Sequence, residues 1–376
     1  MPHWLIVAAN AGPLARACVD AGHGCDLIEP FGDVDTCALA DRHVRVDVGM
    51  YGFTTRVVEA AASLRGDWDG IVLGSGFEAR PGLIDDMARL GTVFGNDAAT
   101  VRRCKDPVVL AAVARDSALP MAEPRTCGAL DRSWLVKPIG ACGGLGIRQA
   151  DDGEHMAPGW YGQRFVRGMP ASVLFLADGA RVRIVGLSEQ RPGGKAGPFA
   201  WREAISHAPV AAEVEAGIAQ ALAMLVARLG LRGLNGADLV FDGATPILLE
   251  INPRPTATMA LYDHEVDGGL FAAHIAACTG RLDPVPPSRR CGRRGLRVVY
   301  AERETDIPAA AGWPTGTTDL PAAGSRIAAG APICTVYAAG EDNESIRAGL
   351  DRHERAVLYM SASSNERGQT TTTVFT

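Results

Sequence analysis

Residues 234–258, LNGADLVFDGATPILLEINPRPTAT, constrain the fold more than any other stretch of this chain. Two short apolar strands flank Asp242-Gly243, a dipeptide suited to a tight reversal. Strand side chains alternate between faces. Leu248, Glu250 and Asn252 are therefore expected on one face, and Ile247, Leu249 and Ile251, all apolar, on a buried one. The first set ends in a carboxylate and a side-chain amide, two hard oxygen donors one pleat apart. Asp238 on the preceding strand is placed to add a third. Oxygen-only ligation suits Mg²⁺, with Mn²⁺ as an alternative. Arg254, held between Pro253 and Pro255, can reach a phosphate oxygen. An ordinary hairpin with a charged wet face is the competing reading. The prolines and the compact donor set favour the metal.

The rest of the chain supplies a scaffold for such a hairpin. Residues 1–98 alternate strand and helix: strands at 5–9, 25–28, 70–73 and 92–94, helices at 13–21, 54–64 and 80–90. That alternation predicts a small parallel α/β layer. Its first turn, AANAG, lacks GxGxxG spacing, so a dinucleotide site there is weakly supported. Gly74-Ser75-Gly76-Phe77-Glu78 follows a strand at its carboxyl end, a favoured ligand position, although the glycines serve a tight turn equally well. Residues 97–116 read as a helix containing Lys105, 133–138 as a strand, and 210–229 as a helix ended by Gly230. Beyond residue 284 the composition turns to Pro, Gly and Arg. A boundary is expected near 284–293, with the RRCGRR run at 289–294 as a solvated linker. Short strands and a helix near 343–355 follow, then a Ser/Thr-rich tail from 361 that is expected to be disordered.

Composition excludes several classes. The net charge of −6 argues against a nucleic-acid surface. No apolar run approaches the length of a membrane span, and the N-terminus carries no export pattern, so a cytoplasmic location is expected. Nine cysteines without CxxC pairing fit reduced thiols better than a disulfide or zinc framework.

Lys137 ends an apolar strand and precedes the loop Gly140-Ala141-Cys142-Gly143-Gly144-Leu145-Gly146. Backbone N–H groups of such a loop can wrap an anion while the ammonium adds a point charge. The P-loop pattern is absent, because no Gly-Lys-Ser/Thr follows.

Asp238, Glu250, Asn252 and Arg254 resemble, residue by residue, the metal-binding end of the ATP-grasp superfamily. The resemblance implies an ATP-grasp fold of mixed α/β and α+β character. It would comprise an N-terminal parallel α/β domain at 1–98, a nucleotide-binding unit at 99–284, a small β-rich domain at 293–360 and the tail at 361–376. It further implies ATP and Mg²⁺ as cofactors. Lys105 matches the first nucleotide lysine and Lys137 the second. Gly140, Gly143 and Gly144 would belong to the loop over the β- and γ-phosphates. Residues 163–168, QRFVRG, resemble the adenine hinge, with the Gln163 side chain and main-chain groups of Arg164 and Val166 facing the base. The acid that often holds the ribose is missing from Met169-Pro170-Ala171-Ser172, where Ser172 is the remaining hydroxyl.

The activity implied is carboxylate–amine ligation through an acyl phosphate, releasing ADP and phosphate. Lys137 and Arg254 would be the fixed charges, and Ser75, Gly76, Arg202 and Arg254 the substrate-side residues. No side-chain nucleophile is needed. The segments GSGFE, KDP, LVKPIGACGG, PFAWREAI and LEINPRPTAT look like ATP-grasp proteins of tetrahydromethanopterin- and methanofuran-linked one-carbon metabolism in methylotrophs, with the tyramine–glutamate ligase as a distant relative. That likeness implies small-molecule acid and amine substrates without fixing which; glutamate is the expected acid, with an aromatic amine or an amino acid as the acceptor. A homodimer is an assembly the family allows. A biotin-carboxylase-like carboxylase and a non-catalytic nucleotide sensor are the alternatives.

Overall fold

The computed structural model describes residues 1–282, 292–309 and 312–368, with side chains through residue 360. The first strands are β1 (His3–Val7), β2 (Gly24–Glu29), β3 (Arg42–Arg45), β4 (Gly70–Leu73) and β5 (Val93–Phe94). They form a parallel sheet in the order β3-β2-β1-β4-β5. Helices α1 (Gly12–Asp20), α2 (Val34–Cys37), α3 (Arg56–Leu64) and α4 (Gly82–Ala88) cover it. Strand order reverses between β1 and β4, which opens a crevice at their carboxyl ends. Helix α2 and strand β3 carry too few apolar residues to register as periodic elements in the sequence.

The expected helix over 97–116 is two helices, α5 (Ala98–Lys105) and α6 (Pro107–Asp116). Asp106 divides them: its extended backbone ends α5, and its carboxylate accepts the N–H groups of Val108 and Val109 to cap α6. The break leaves Lys105 at the carboxyl end of α5.

A four-stranded antiparallel sheet follows, ordered β6 (Pro124–Arg125), β11 (Trp160–Arg164), β8 (Trp134–Pro138), β9 (Arg148–Gln149). Strands β7 (Ala129–Leu130) and β10 (Glu154–His155) make a short ladder beside it. The largest sheet has eight strands. Its first part runs β16 (Thr245–Asn252), β15 (Arg232–Asp242), β12 (Met169–Asp178), β13 (Val182–Arg191), β14 (Glu203–Ser206). Val173 and Phe175 of β12 join one core with α7 (Ala212–Leu229), while Leu174 and Leu176 join another with α1 and α8 (Gly269–Cys278). Burial on both faces removes the polar alternation that would have marked β12 in the sequence.

The sheet then continues without interruption into β17 (Arg293–Tyr300), β21 (Pro332–Gly340) and β19 (Thr317–Thr318). The C-terminal strands thus extend the central sheet rather than build a separate one. Strands β18 (Thr305–Asp306) and β20 (Arg326–Ile327) form a small ladder beyond it. Most of the boundary expected near 284–293 lies outside the described residues, but Arg293 and Arg294 belong to β17 and not to a linker. The closing helix α9 spans Asn343–Gly368, so it runs into the stretch expected to be a disordered tail.

One register detail corrects the alternation expected for β16. Asp238 pairs with Glu250, but the next pair is Leu239 with Leu248, so a β-bulge falls at Leu249. The extra residue rotates the strand. Leu248 and Ile251 are both fully buried in the core against α7, whereas Leu249 faces the cleft with Glu250 and Asn252.

Candidate active site

A cleft of about 790 Å³ lies between the four-stranded sheet, the central sheet and the carboxyl end of the parallel sheet. Asp238, Glu250 and Asn252 stand together in its wall. The hairpin sets Asp238 directly opposite Glu250, and the Asn252 amide donates to Asp238 Oδ2 at 2.9 Å. Gln190 Nε2 lies 3.5 Å from the other Asp238 oxygen. Burial, and then the neighbouring Glu250 charge, push the Asp238 carboxyl well above the usual range. Burial would raise Glu250 as well, yet Lys105 and Lys137 outweigh it and hold that carboxylate low. Two carboxylates and one amide oxygen side by side, with the second acid short of positive charge, are a donor set that fits a hard divalent cation.

The two lysines are arranged differently. Lys105 donates to Glu250 Oε2 at 3.1 Å and Asn252 Oδ1 at 3.0 Å. It is buried and lies behind the acids rather than in the cleft wall. Its first role is therefore to neutralise Glu250. Lys137 does line the cleft, over the Tyr161 ring, and donates to Gln163 Oε1 at 2.9 Å. Burial works against its charge, but Tyr161 and Glu250 outweigh that, and its pKa sits above the ordinary lysine value.

Gln163 is buried, and its other amide end donates to the Leu249 carbonyl at 2.9 Å. Both ends of its side chain are thus engaged within the protein. Its expected side-chain contact with an adenine amine is replaced by a bracket that joins Lys137 to the bulged strand. Arg164 and Val166 line the cleft. The Arg164 N–H is spent on the Glu123 carbonyl at 2.9 Å, which leaves its carbonyl as the main-chain group to offer.

The glycine loop is docked. Gly143 and Gly144 line the cleft, and the Gly143 carbonyl accepts the Trp201 N–H at 2.9 Å. Gly144 has φ +72° and would place a Cβ 1.9 Å from the Phe199 carbonyl oxygen, so no side chain fits there. The loop and residues 192–201 meet face to face across the cleft. Gly140 sits at the base of the loop, outside the cleft wall, against the backbone of Ala79.

Residues 108–258 match the family model described as ATP-grasp domain. A D-alanine–D-alanine ligase of Rhodospirillum rubrum is 29% identical over 277 residues, which is 67% of this chain and 84% of that protein. Among solved structures, the L-amino acid ligase from Bacillus licheniformis superposes with a TM-score of 0.68 at 14% identity, covering 95% of this chain and 98% of that one. The biotin carboxylase domain of the Hydrogenobacter thermophilus 2-oxoglutarate carboxylase gives 0.69 at 14% identity, covering 90% and 86%. The chain has the ATP-grasp fold. In it, the four-stranded sheet and the central sheet are the two jaws, and the bulged hairpin lies at their meeting line.

The parallel sheet closes the far end of the ATP-grasp cleft. Ser75 lines it, and the Ser75 carbonyl accepts the Ala9 N–H at 2.8 Å, which ties the ends of β1 and β4 together. Gly76 does not reach the wall; its N–H donates to Glu78 Oε2 at 2.7 Å. Glu78 in turn ion-pairs with Arg254 Nε. Burial would raise the Glu78 carboxyl, but Arg254 and Lys105 outweigh it and keep the carboxyl below its usual value. Arg202 contradicts its expected substrate role. Its Nη2 lies 2.9 Å from both carboxylate oxygens of Glu354 on α9, and it does not line the cleft.

Sequence reasoning missed the acidic pair Asp33 and Asp319, which line this end with Phe31 and Thr335. They are far apart in the chain. Asp35 joins their segments by accepting the N–H groups of Asp319 at 3.0 Å and Leu320 at 2.7 Å. Burial, then each other's company and that of Glu29 and Asp35, raise Asp33 to about 7. No local pattern marks such a pair.

Proposed function

We propose that this protein is an ATP-dependent carboxylate–amine ligase that forms an acyl phosphate and releases ADP and phosphate. The observation that carries this reading is one continuous cleft. Asp238, Glu250, Asn252 and Lys137 stand at its ATP-grasp end and the β1/β4 crevice at the other, with Arg254 in its wall. Asp238, Glu250 and Asn252 would hold Mg²⁺, which when bound supplies positive charge to the nucleotide phosphates. Lys137 gives a second, fixed charge that needs no reorganisation as negative charge shifts onto the transferred group. Arg254, which lines the cleft, would face the acid that accepts the phosphoryl group. The docked glycine loop and residues 192–201 shield the cleft, which protects an acyl phosphate from water. Ser172 Oγ is buried in the same wall without a hydrogen-bond partner among the described residues and is the hydroxyl available for a nucleotide sugar.

The likeness to a D-alanine–D-alanine ligase supports C–N bond formation over carboxylation. A narrower form, supported by the motif resemblance, takes glutamate as the acid in one-carbon cofactor biosynthesis. Among the described residues no helix is long and apolar enough to cross a membrane. Isotope transfer tests the mechanism. With ¹⁸O in the carboxylate of the donor acid, phosphate released in amine-dependent turnover should carry one label. Label in AMP would mean adenylation. Unlabelled phosphate formed with bicarbonate and biotin would mean carboxylation, and either result rejects the ligase mechanism.

A further inference from the structure

Glu78 lies on the parallel sheet's side of the cleft, yet its closest partner is Arg254 at the exit of β16. Two contacts and deep burial make it a fixed strut. Its Oε1 accepts Arg254 Nε, its Oε2 accepts the Gly76 N–H at 2.7 Å, and its side chain is 4% exposed. The backbone around it also supports the glycine loop. A Cβ on Gly140 would lie 2.7 Å from the Glu78 carbonyl oxygen and 2.6 Å from Ala79 Cα. Arg254 has a second anchor, because Nη1 donates to the Pro255 carbonyl at 3.2 Å. With Nε and Nη1 both held, Nη2 is left with no partner among the described residues, on a side chain that lines the cleft.

We infer that Glu78 is a positioning residue for phosphoryl transfer: it clamps the Arg254 guanidinium so that Nη2 faces the transferring group. This rests on the nucleotide reading above. A guanidinium fixed before reaction stabilises charge that develops later, whereas a free one must be ordered first. Glu78 should therefore matter little for ground-state nucleotide and strongly for a mimic of the transferring phosphoryl group.

The test measures MgADP affinity alone and with fluoroaluminate, using the full chain, Glu78→Gln, Glu78→Ala, Arg254→Ala and the Glu78→Ala/Arg254→Ala pair. Circular dichroism checks folding. MgADP affinity should stay within about twofold in both Glu78 variants. Fluoroaluminate trapping should weaken by at least about tenfold in Glu78→Gln and Glu78→Ala, and the double variant should be no weaker than Arg254→Ala alone. Should Glu78→Ala not fold, Glu78→Gln decides, since it keeps size and removes charge. Parental trapping in Glu78→Gln overturns the inference, and so does a further loss on top of Arg254→Ala. If the parent chain binds no MgADP, the nucleotide reading itself fails, and this inference with it.

Discussion

The two ends of the cleft hold their acids differently. At the ATP-grasp end the acids stand among lysines and amides: Lys105 lies on Glu250 and Asn252, Lys137 on Gln163, and the Asn252 amide on Asp238, the acid there that burial still raises. At the crevice end Asp33 and Asp319 face the cleft with no cation bonded to either among the described residues, and burial raises both. Paired charges on adjacent strands are preorganised, so they suit a constant ligand such as a triphosphate. An acidic end with a rising pKa is held together by chain connections instead, here Asp35 on the Asp319 and Leu320 amides. The proposed nucleotide end is thus held by paired side chains, and the proposed substrate end by contacts between segments far apart in the chain.

Glu250→Gln should strike the paired end hardest. It removes one charge from the proposed metal donors and the partner of Lys105, so kcat should fall at least about a hundredfold while Mg·ATP affinity falls less. Turnover within about twofold of the parent, in a coupled ADP-release assay, would remove the hairpin from the chemistry. Lys137→Ala should raise the Mg·ATP dissociation constant ten- to a hundredfold, or ~1.4–3 kcal/mol for one charge-assisted contact. Unchanged calorimetric affinity would make Lys137 only a strut for Gln163.

Gly144→Ala probes the closure between the two ends. The methyl group cannot share space with the Phe199 carbonyl, and the φ of +72° adds strain, so undocking should follow at a cost of about 1–3 kcal/mol. Faster limited proteolysis within 140–146, with the melting temperature nearly unchanged, is the expected pattern. Equal cleavage in both proteins would show that loop docking is slack.

The smallest effect belongs to the acidic end. Asp33 binds its proton more tightly folded, near pH 7, than unfolded, near 3.8, so stability falls as pH rises between those values and stays low above them. Asp33→Asn should flatten that part of the curve. It should melt about 1–2 °C higher than the parent at pH 8 and match it near pH 4. A variant that melts lower at pH 8 would show that Asp33 is a stabilising carboxylate, and the contrast between the ends would collapse.

Legibility in the sequence followed the same division. Asp238, Glu250, Asn252 and Arg254 were readable because one hairpin holds them, and strand alternation plus a tight turn suffices to bring them together. Lys137 and the glycine loop were readable as neighbours in the chain. Arg202 was misread because its partner, Glu354, lies on a distant helix, and a long side chain turns toward whichever carboxylate the packing supplies. Leu249 was misread because a single bulge inverts the facing of a strand, and no residue preference announces it.

The sequence by itself determined the hairpin, its oxygen donors, the strand lysine, the glycine loop and the alternating N-terminal layer, since each depends on contacts within a few tens of residues. Tertiary structure alone decided the rest: that Lys105 backs Glu250, that Glu78 ion-pairs with Arg254, that β17 and β21 extend the central sheet, and that Asp33 and Asp319 line one end of the cleft. The physical reason is that side-chain pairing and burial are settled by which surfaces the fold presses together, and those partners lie far apart in the chain.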